Sequence, residues 1–544
     1  MVAWHLESVE AVLRAAESES KNGSWVVGFV AYEAAPAFDA TMVVHPPIQG
    51  LPLAWFGVVE AVESNTVEGN DRSYSACPSI ETYQDSVERI RGAIGAGRLY
   101  QANFTFPLRL AAPIEPWPLF AQLALAHQAS YAVYIEHETW AVMSASPELF
   151  LERKGKTWRS KPMKGTRPRG RFLAEDDALV TELTGSEKDR AENLMIVDMV
   201  RNDLGRIAQP GTVHAGPLFE IERYPNVLQM TSTVRCESDA SMVEGFRAAF
   251  PPASVTGAPK IEAMRVIFEE ESGPRGVYCG AVGFFEPGGD ATFNVAIRTA
   301  VQVGSETRYS VGSGIVWDSD PDAELRECEQ KATILRAPAN FRLFETLVWD
   351  HGFRDLDLHV ERITSSAERF GFEMGDVEAA LKAFDSNRSP EVVRVTLHRN
   401  GDIELASRSF QEFEETPRFA FAQTPVDSCD PFLFHKTTVR APYDRAQKEV
   451  GAGIYPILFN ERGHATESTI GNLAFFLDGC WLTPPLSDGV FPGIERAKLL
   501  RMGAIQEASV PQARIISERP KIAIFNSVRG WAEGGLHFEA TGTE

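Results

Sequence analysis

Residues 321–350 read PDAELRECEQKATILRAPANFRLFETLVWD, and this stretch divides the chain. Its first part carries helical character from about Pro321 to Leu335. Residues 336–340, RAPAN, interrupt that pattern with a proline, and a strand-like apolar run begins at once with FRLFETLVWD. A domain boundary is expected there, with residues 1–336 as one domain and 341–544 as the other. Moving towards the N-terminus, residues 277–316 (VYCGAVGFF, ATFNVAIRTAVQV, TRYSVGSGIVW) read as successive strands with glycine-rich turns. Residues 186–206, SEKDRAENLMIVDMVRNDLGR, predict a long helix capped by Ser186, with Leu194, Val197 and Met199–Val200 on its apolar side. A second helix is predicted over 81–98, ending on glycine. Residues 24–60 read as strands and turns around a surface loop, HPPIQG. No internal repeat or low-complexity tract is visible.

The 544 residues would fill roughly three or four ordinary domains, and 44% hydrophobic with 24% charged residues is a globular composition. Acidic residues outnumber basic ones, 75 to 53, for a formal net charge of −22. Such a surface repels phosphate backbones and anionic lipids, which argues against nucleic-acid and membrane-surface roles. The six cysteines lie far apart without a CxxC pair, so reduced thiols are expected rather than a disulfide or zinc scaffold. The N-terminal residues lack an apolar signal core, and no stretch of about eighteen apolar residues exists. A soluble cytoplasmic protein is the expectation.

Two constellations carry chemistry. In the first half, SASPELF surrounds Glu148, RSKPMKGTRPRG surrounds Lys164, and two predicted helices carry Glu187, Asp189 and Glu192, and Glu324 and Glu327. A lone acidic residue on a helix is usually a solvated face. Asp189 and Glu192, like Glu324 and Glu327, are three residues apart and so project from one face. Two such faces brought together would suit Mg²⁺, which takes carboxylate and water oxygens.

The strings KPMKGTRPRG, ENLMIVDMVRNDLGRI, PPASVTGAPKIEAM, GVYCGAVGFF, FNVAIRTA and GSGIVWDSDP resemble the chorismate-utilising enzymes, in that family's order, over roughly residues 75–336. The resemblance implies an α/β sandwich with its active site between the sheets. Lys164 makes the chain similar to the aminodeoxychorismate synthase component I branch, since anthranilate synthases carry a small residue at that point. Lys164 would then attack the chorismate ring at C2 and expel the C4 hydroxyl, and ammonia would enter at C4 and displace the lysine. The family's pattern further implies Glu148 as general acid/base, and Glu192 and Glu327 as Mg²⁺ ligands with Glu324 and Asp189 in auxiliary roles. It implies Arg298 as the grip on a substrate carboxylate, and Tyr278, Gly312, Gly314 and Thr256 as pocket wall. At Gln229 many relatives carry a histidine associated with aromatisation. None of the six cysteines sits in a glutaminase-like elbow, so a separate glutamine amidotransferase subunit, or free ammonia in its absence, is expected as the nitrogen source.

In the second half, PFLFHKTTVR places Lys436 after a strand-like run, and ATESTIGNLAFF carries Glu467. A lysine that can bond an aldehyde and an acid that can pair with a pyridine nitrogen are what pyridoxal phosphate needs, although either alone is commonplace. FETLVWDHGFRDLDLHVERI, HKTTVR, TESTIGNLAFF and PGIERAKLL resemble, in order, the class IV aminotransferase-like pyridoxal-phosphate enzymes (fold type IV), over about 341–500 with the tail to Glu544. The overall expectation is an α+β multidomain chain. This second resemblance implies Lys436 as the Schiff-base lysine, Glu467 on the pyridine nitrogen, and Arg362, in an HxxR pattern with His359, on the phosphate. Backbone amides at Gly493 and Ile494 would complete the phosphate cradle. Glu495 stands where many aminotransferases of the class place threonine, which weakens a transaminase reading. Within the class, aminodeoxychorismate lyase would complete the first half's chemistry, releasing pyruvate and yielding 4-aminobenzoate. The rival readings are a synthase fused to an aminotransferase for another amino acid, and a scaffold with one inactive site. A homodimer through the second domain is also expected from the class.

Overall fold

The computed structural model describes residues 1–63, 74, 76–78, 83–111 and 113–537. The first two residues of the helix predicted over 81–98, the side chain of Cys77 and the tail from 538 lie outside the described residues. The chain forms two compact units: Met1–Arg169 with Leu179–Asn340, and Gly170–Ala178 with Phe341–Glu544.

Two large, mainly antiparallel sheets make the first unit. One has nine strands among the described residues, and Ala281–Phe285 and Ala291–Val295 lie near its middle. The other has seven, with Gln101–Leu110 paired along its length to Glu306–Ile315. Their inner faces meet over Phe29 and Val282 from one sheet and Trp140, Val142 and Val301 from the other. Phe29 and Trp140 pack edge to face at 5.3 Å, an arrangement that satisfies the ring quadrupoles. Helix Leu6–Lys21 closes the outer face of the nine-stranded sheet with Val9, Val12, Leu13 and Ala16, which recur at helical spacing. A smaller three-stranded sheet, of Met163–Pro168, Val227–Thr231 and Glu220–Arg223, carries Lys164.

Helix Glu187–Gly205 starts where Ser186 caps it, the serine hydroxyl accepting from the Asp189 amide at 3.2 Å. Its buried stripe is Asn193, Ile196, Val197, Val200, Asp203 and Leu204. Leu194, expected on the apolar side, is 45% exposed. The run LMIVDMV is apolar almost all round, so composition could not select the face. The polar Asn193 selects it, because its side-chain amide donates to the carbonyls of Lys164 (3.1 Å) and Met230 (3.3 Å). The helix beginning at Pro321 is capped by Asp320 and gives way at Thr333 to one 3₁₀ turn, earlier than the expected Leu335.

In the second unit, a three-stranded antiparallel sheet (Leu343–Trp349, Glu391–Leu397, Ile403–Ser409) packs against helix Leu356–Phe370, while a seven-stranded sheet holds Asn472–Leu477 and Ile522–Asn526. The short segment Gly170–Ala178 belongs to this unit. Arg369 Nε donates to the Gly170 carbonyl at 2.6 Å, His435 Nε2 pairs with the Arg171 carbonyl at 2.8 Å, and Phe172 meets Phe434. Cys236, Cys279 and Cys328 are buried free thiols, while Cys429 is exposed and unbonded. Among the described residues no helix is long and apolar enough to cross a membrane.

Candidate functional site

The first unit contains a cavity of about 400 Å³ that gathers Glu148, Lys164, Asp189, Glu192, Tyr278, Arg298, Gly312, Gly314, Glu324 and Glu327. Thr256 is the exception among the expected wall residues. It is fully buried behind the lining, its hydroxyl donating to the Pro252 carbonyl at 2.8 Å, and its neighbours Ser254 and Val255 line the cavity in its place.

Glu148 follows the strand Trp140–Ser146 and is 3% exposed. Burial pushes its carboxyl up to about 7, against the Ser254 hydroxyl, which donates to it at 2.5 Å, and the nearby charge of Lys164. It can therefore hold or release a proton near neutral pH. Lys164 projects from Met163–Pro168, with its Nζ 3.9 Å from Glu192 Oε2. A Cβ on Gly314 would fall 2.1 Å from that Nζ, so the glycine is what leaves room for the amine. Arg298 adopts a left-handed backbone conformation (φ 51°), uncommon outside glycine, and its guanidinium donates to the Lys331 carbonyl at 2.8 Å.

The expected metal ligands share this cavity, but among the described residues no group of three or more His, Cys, Asp or Glu side chains stands close enough together to hold an ion. Glu327 is ion-paired with Lys331 at 2.6 Å. Burial pushes its carboxyl up, but Lys331 prevails and holds it below the ordinary range. Burial raises Glu192, with repulsion from Asp189 and Glu324 adding to the rise and Lys164 opposing it. The mutual repulsion of Glu192, Asp189 and Glu324 in a part-buried cavity is what a hard divalent cation would relieve, so these donors suit Mg²⁺ by charge and chemistry, although they are not gathered into a coordination shell here.

Several lining residues were not legible in the sequence. Ser254 sits inside PPASVTGAPK without a signal of its own. Lys331, one helical turn beyond Glu327, also donates to the Gly312 carbonyl at 2.8 Å. His127 is 1% exposed with neither ring nitrogen hydrogen-bonded among the described residues, and burial beside Arg298 holds it well below its usual range, so the ring is neutral. Gln229 braces the lysine-bearing strand, donating to Gly165 O at 2.9 Å and accepting from Thr166 at 3.1 Å.

The second unit holds a cavity of about 340 Å³ lined by Arg362, Lys436, Glu467, Gly493 and Ile494, so every residue expected at the second site meets there. Burial lowers the Lys436 amine to about 8, with Arg362, Arg440 and Arg394 adding to the fall and Glu345 opposing it. A fraction of the amine is then neutral near physiological pH, the state required for bonding an aldehyde. Burial raises Glu467 to about 8. Tyr443 donates to one of its oxygens at 2.7 Å, and Asn472 and the Phe491 amide donate to the other at 3.2 and 3.1 Å. Arg362 is held by both oxygens of Glu345 (2.7 and 2.8 Å), which His359 also engages at 2.7 Å. This explains the HxxR spacing: both side chains grip one buried carboxylate that Arg362 and His359 keep ionised in spite of burial. A Cβ on Gly493 would fall 2.0 Å from Asn472 Oδ1, so only glycine brings the backbone to that point at the start of helix Ile494–Arg501. Ser468 Oγ, buried on the lining, has no hydrogen-bond partner among the described residues. A half-buried lysine, a held arginine, a glycine cradle and an orphaned hydroxyl together fit pyridoxal phosphate. Glu495, departing from threonine, is 3.4 Å from Lys498.

Residues 60–337 match the family described as chorismate binding enzyme, and residues 342–533 match amino-transferase class IV. An aminodeoxychorismate synthase of Streptomyces pristinaespiralis is 45% identical over 257 residues, which is 47% of this chain and 36% of that protein. Aminodeoxychorismate synthase component 1 of Bacillus subtilis is 33% identical over 297 residues, 54% of this chain and 63% of that protein. The chain thus spans less than two thirds of either relative. Among solved structures, anthranilate synthase component I from Streptococcus pneumoniae superposes with a TM-score of 0.52 at 25% identity, covering 58% of this chain and 81% of that one.

Proposed function

The chain belongs to the chorismate-binding enzyme family, and from that premise we propose that it makes 4-aminobenzoate in two steps, amination of chorismate in the first unit and elimination of pyruvate in the second. The observation that carries the reading is that Lys164 shares one cavity with Glu148 while Lys436 shares another with Glu467 in the same chain.

In the first step Glu148, protonated below about pH 7, gives its proton to the departing C4 hydroxyl of chorismate as Lys164 Nζ attacks C2. Ammonia then bonds C4 and the lysine leaves, giving 4-amino-4-deoxychorismate. Arg298 holds a substrate carboxylate, with Tyr278, Gly312 and Gly314 shaping the wall. Mg²⁺ held by Glu192 and Glu327, with Glu324 contributing, would neutralise the other carboxylate. The ammonia source is a separate glutamine amidotransferase subunit. Cys279, the cysteine in the most glycine-rich setting, is fully buried, and burial pushes its thiol up to about 12, which suits no nucleophile.

In the second step pyridoxal phosphate, when bound, supplies an electron sink next to the substrate amine. Arg362 and the amides at Gly493 and Ile494 hold its phosphate, and Glu467 pairs with its pyridine nitrogen. Lys436 Nζ takes the C4 proton of the substrate, pyruvate leaves from C3, and the ring becomes aromatic. The proton returns from the lysine, so no keto acid is consumed. The reading includes a homodimer through the second unit.

Product analysis with chorismate, ammonium, pyridoxal phosphate and Mg²⁺ tests this directly. The expected result is 4-aminobenzoate and pyruvate in equal amounts without an added keto acid. Lys164→Ala should abolish aminated product. Chelating Mg²⁺ should stop amination and leave pyruvate release from supplied 4-amino-4-deoxychorismate intact. A strict need for an added keto acid would replace the lyase half with an aminotransferase.

A further inference from the structure

The second cavity is far more cationic than its chemistry with the cofactor requires. Besides Arg362 and Lys436, its lining includes Arg394, Arg408, Arg440 and Arg529, against one carboxylate, Glu467. This concentration occurs in a chain of net charge −22. Arg362 is taken by Glu345, but among the described residues none of the other four arginines is ion-paired with a carboxylate.

The fold places these groups deliberately. Arg394 lies in the central strand Glu391–Leu397, with Thr346 and Ala406 as its cross-strand partners. Since side chains alternate along a strand, Phe344, Thr346, Arg394 and Arg408 share one face of the sheet, and all four line the cavity. The Arg394 guanidinium is stacked 3.8 Å from the Phe344 ring centroid, which orders it without neutralising it. Arg440 follows the lysine segment, lies 4.7 Å over the Tyr443 ring and donates to the Thr469 carbonyl at 2.6 Å. Tyr443 is the residue that donates to Glu467, so Arg440 is held beside the acid end of the cavity. Although Arg394 keeps part of its surface exposed, desolvation on its cavity side and repulsion from Arg440 and Arg342 lower it from the usual arginine range. Like charges held together around a cavity are relieved by an anionic ligand.

We propose that Arg394 and Arg440 form a subsite for the carboxylates of a dianionic amine, and that this subsite selects a ring amine with two carboxylates over an ordinary monocarboxylate amino acid. The proposal rests on the reading of this cavity as a pyridoxal-phosphate site and adds the residues that choose its substrate. Arginine suits the task because its planar fork pairs bidentately with a carboxylate.

The test uses the full chain incubated with pyridoxal phosphate, and inert probes in place of substrate. Calorimetry should show isophthalate, a flat dicarboxylate, binding at least tenfold tighter than benzoate. Arg394→Gln and Arg440→Gln should each remove most of that preference, with Arg394→Lys retaining part of it. The cofactor absorbance and its borohydride trapping on Lys436 should stay as in the parent protein. Equal binding of the two probes by the parent protein, or an unchanged preference in both glutamine variants, would overturn the proposal. Failure of the underlying reading is separately visible as a missing cofactor band, because calorimetry reports the dicarboxylate preference with or without turnover.

Discussion

Glu148 shows how surroundings set the proton affinity of one side chain, and so what the proposed reaction can ask of it. A carboxyl in water is ionised at neutral pH and cannot serve as an acid there. At 3% exposure the cost of burying charge lifts it to about 7, and the Ser254 hydroxyl and Lys164 moderate the rise. Because the acid works only while protonated, chorismate amination should fall as pH rises through about 7. Ser254→Ala removes a hydrogen bond that favours the charged form, so the carboxyl must move further up. A hydrogen bond to a charged group contributes about 1.5–3 kcal/mol, which corresponds to a shift of roughly one to two pH units in that limb of the rate profile. The pH dependence of amination with saturating ammonium checks this. A limb that stays put or moves to lower pH would assign it to another group.

At the scale of elements, the strand Glu306–Ile315 is a precise spacer. It pairs in register with Gln101–Leu110, setting Gly314 opposite Asn103, and the missing side chain of Gly314 is the space that Lys164 Nζ occupies. Gly314→Ala would drive a methyl group into the end of the Lys164 side chain and against the side-chain amide of Gln101 (2.8 Å) rather than into backbone. The fold can accept that by moving the amine, so the cost falls on catalysis. The expected outcome is amination reduced on the order of 10²-fold with thermal stability and the second reaction little changed, measured by product formation alongside a melting curve. In the second unit, the three-residue step from His359 to Arg362 puts both side chains on one side of helix Leu356–Phe370, where Glu345 from the adjacent strand holds them together. That spacing was visible in the sequence, but the carboxylate that gives it meaning lies on another element.

For the whole molecule, the structural units do not follow chain order. Gly170–Ala178 leaves the lysine-bearing strand of the first unit and packs within the second, through Arg369, His435 and Phe434. A fragment ending at Asn340 would deprive this segment of those partners. Limited proteolysis should therefore cut the fragment within residues 170–178 at protease doses that leave the full chain intact there; equal resistance in both would show that the segment is ordered by other contacts.

What the sequence determined by itself is local. The break at RAPAN, the Ser186 cap, the strand run after residue 277 and the motifs around Lys164, Glu148, Lys436 and Glu467 all depend on neighbouring residues, and they were readable as such. The tertiary structure decided what depends on distant ones. The buried face of helix Glu187–Gly205 follows from Asn193 reaching Lys164 and Met230, and the proton affinity of Glu148 depends on a serine more than a hundred residues away. The same holds for the second cavity's arginines. Each looks like an ordinary surface residue along the chain; only strand pairing sets Arg394 beside Thr346, and only the tertiary fold brings Glu467 to the Tyr443 that Arg440 overlies at the start of helix Ala441–Val450. Periodicity and capping are settled within a few residues, whereas desolvation and charge repulsion depend on which surfaces fold against each other.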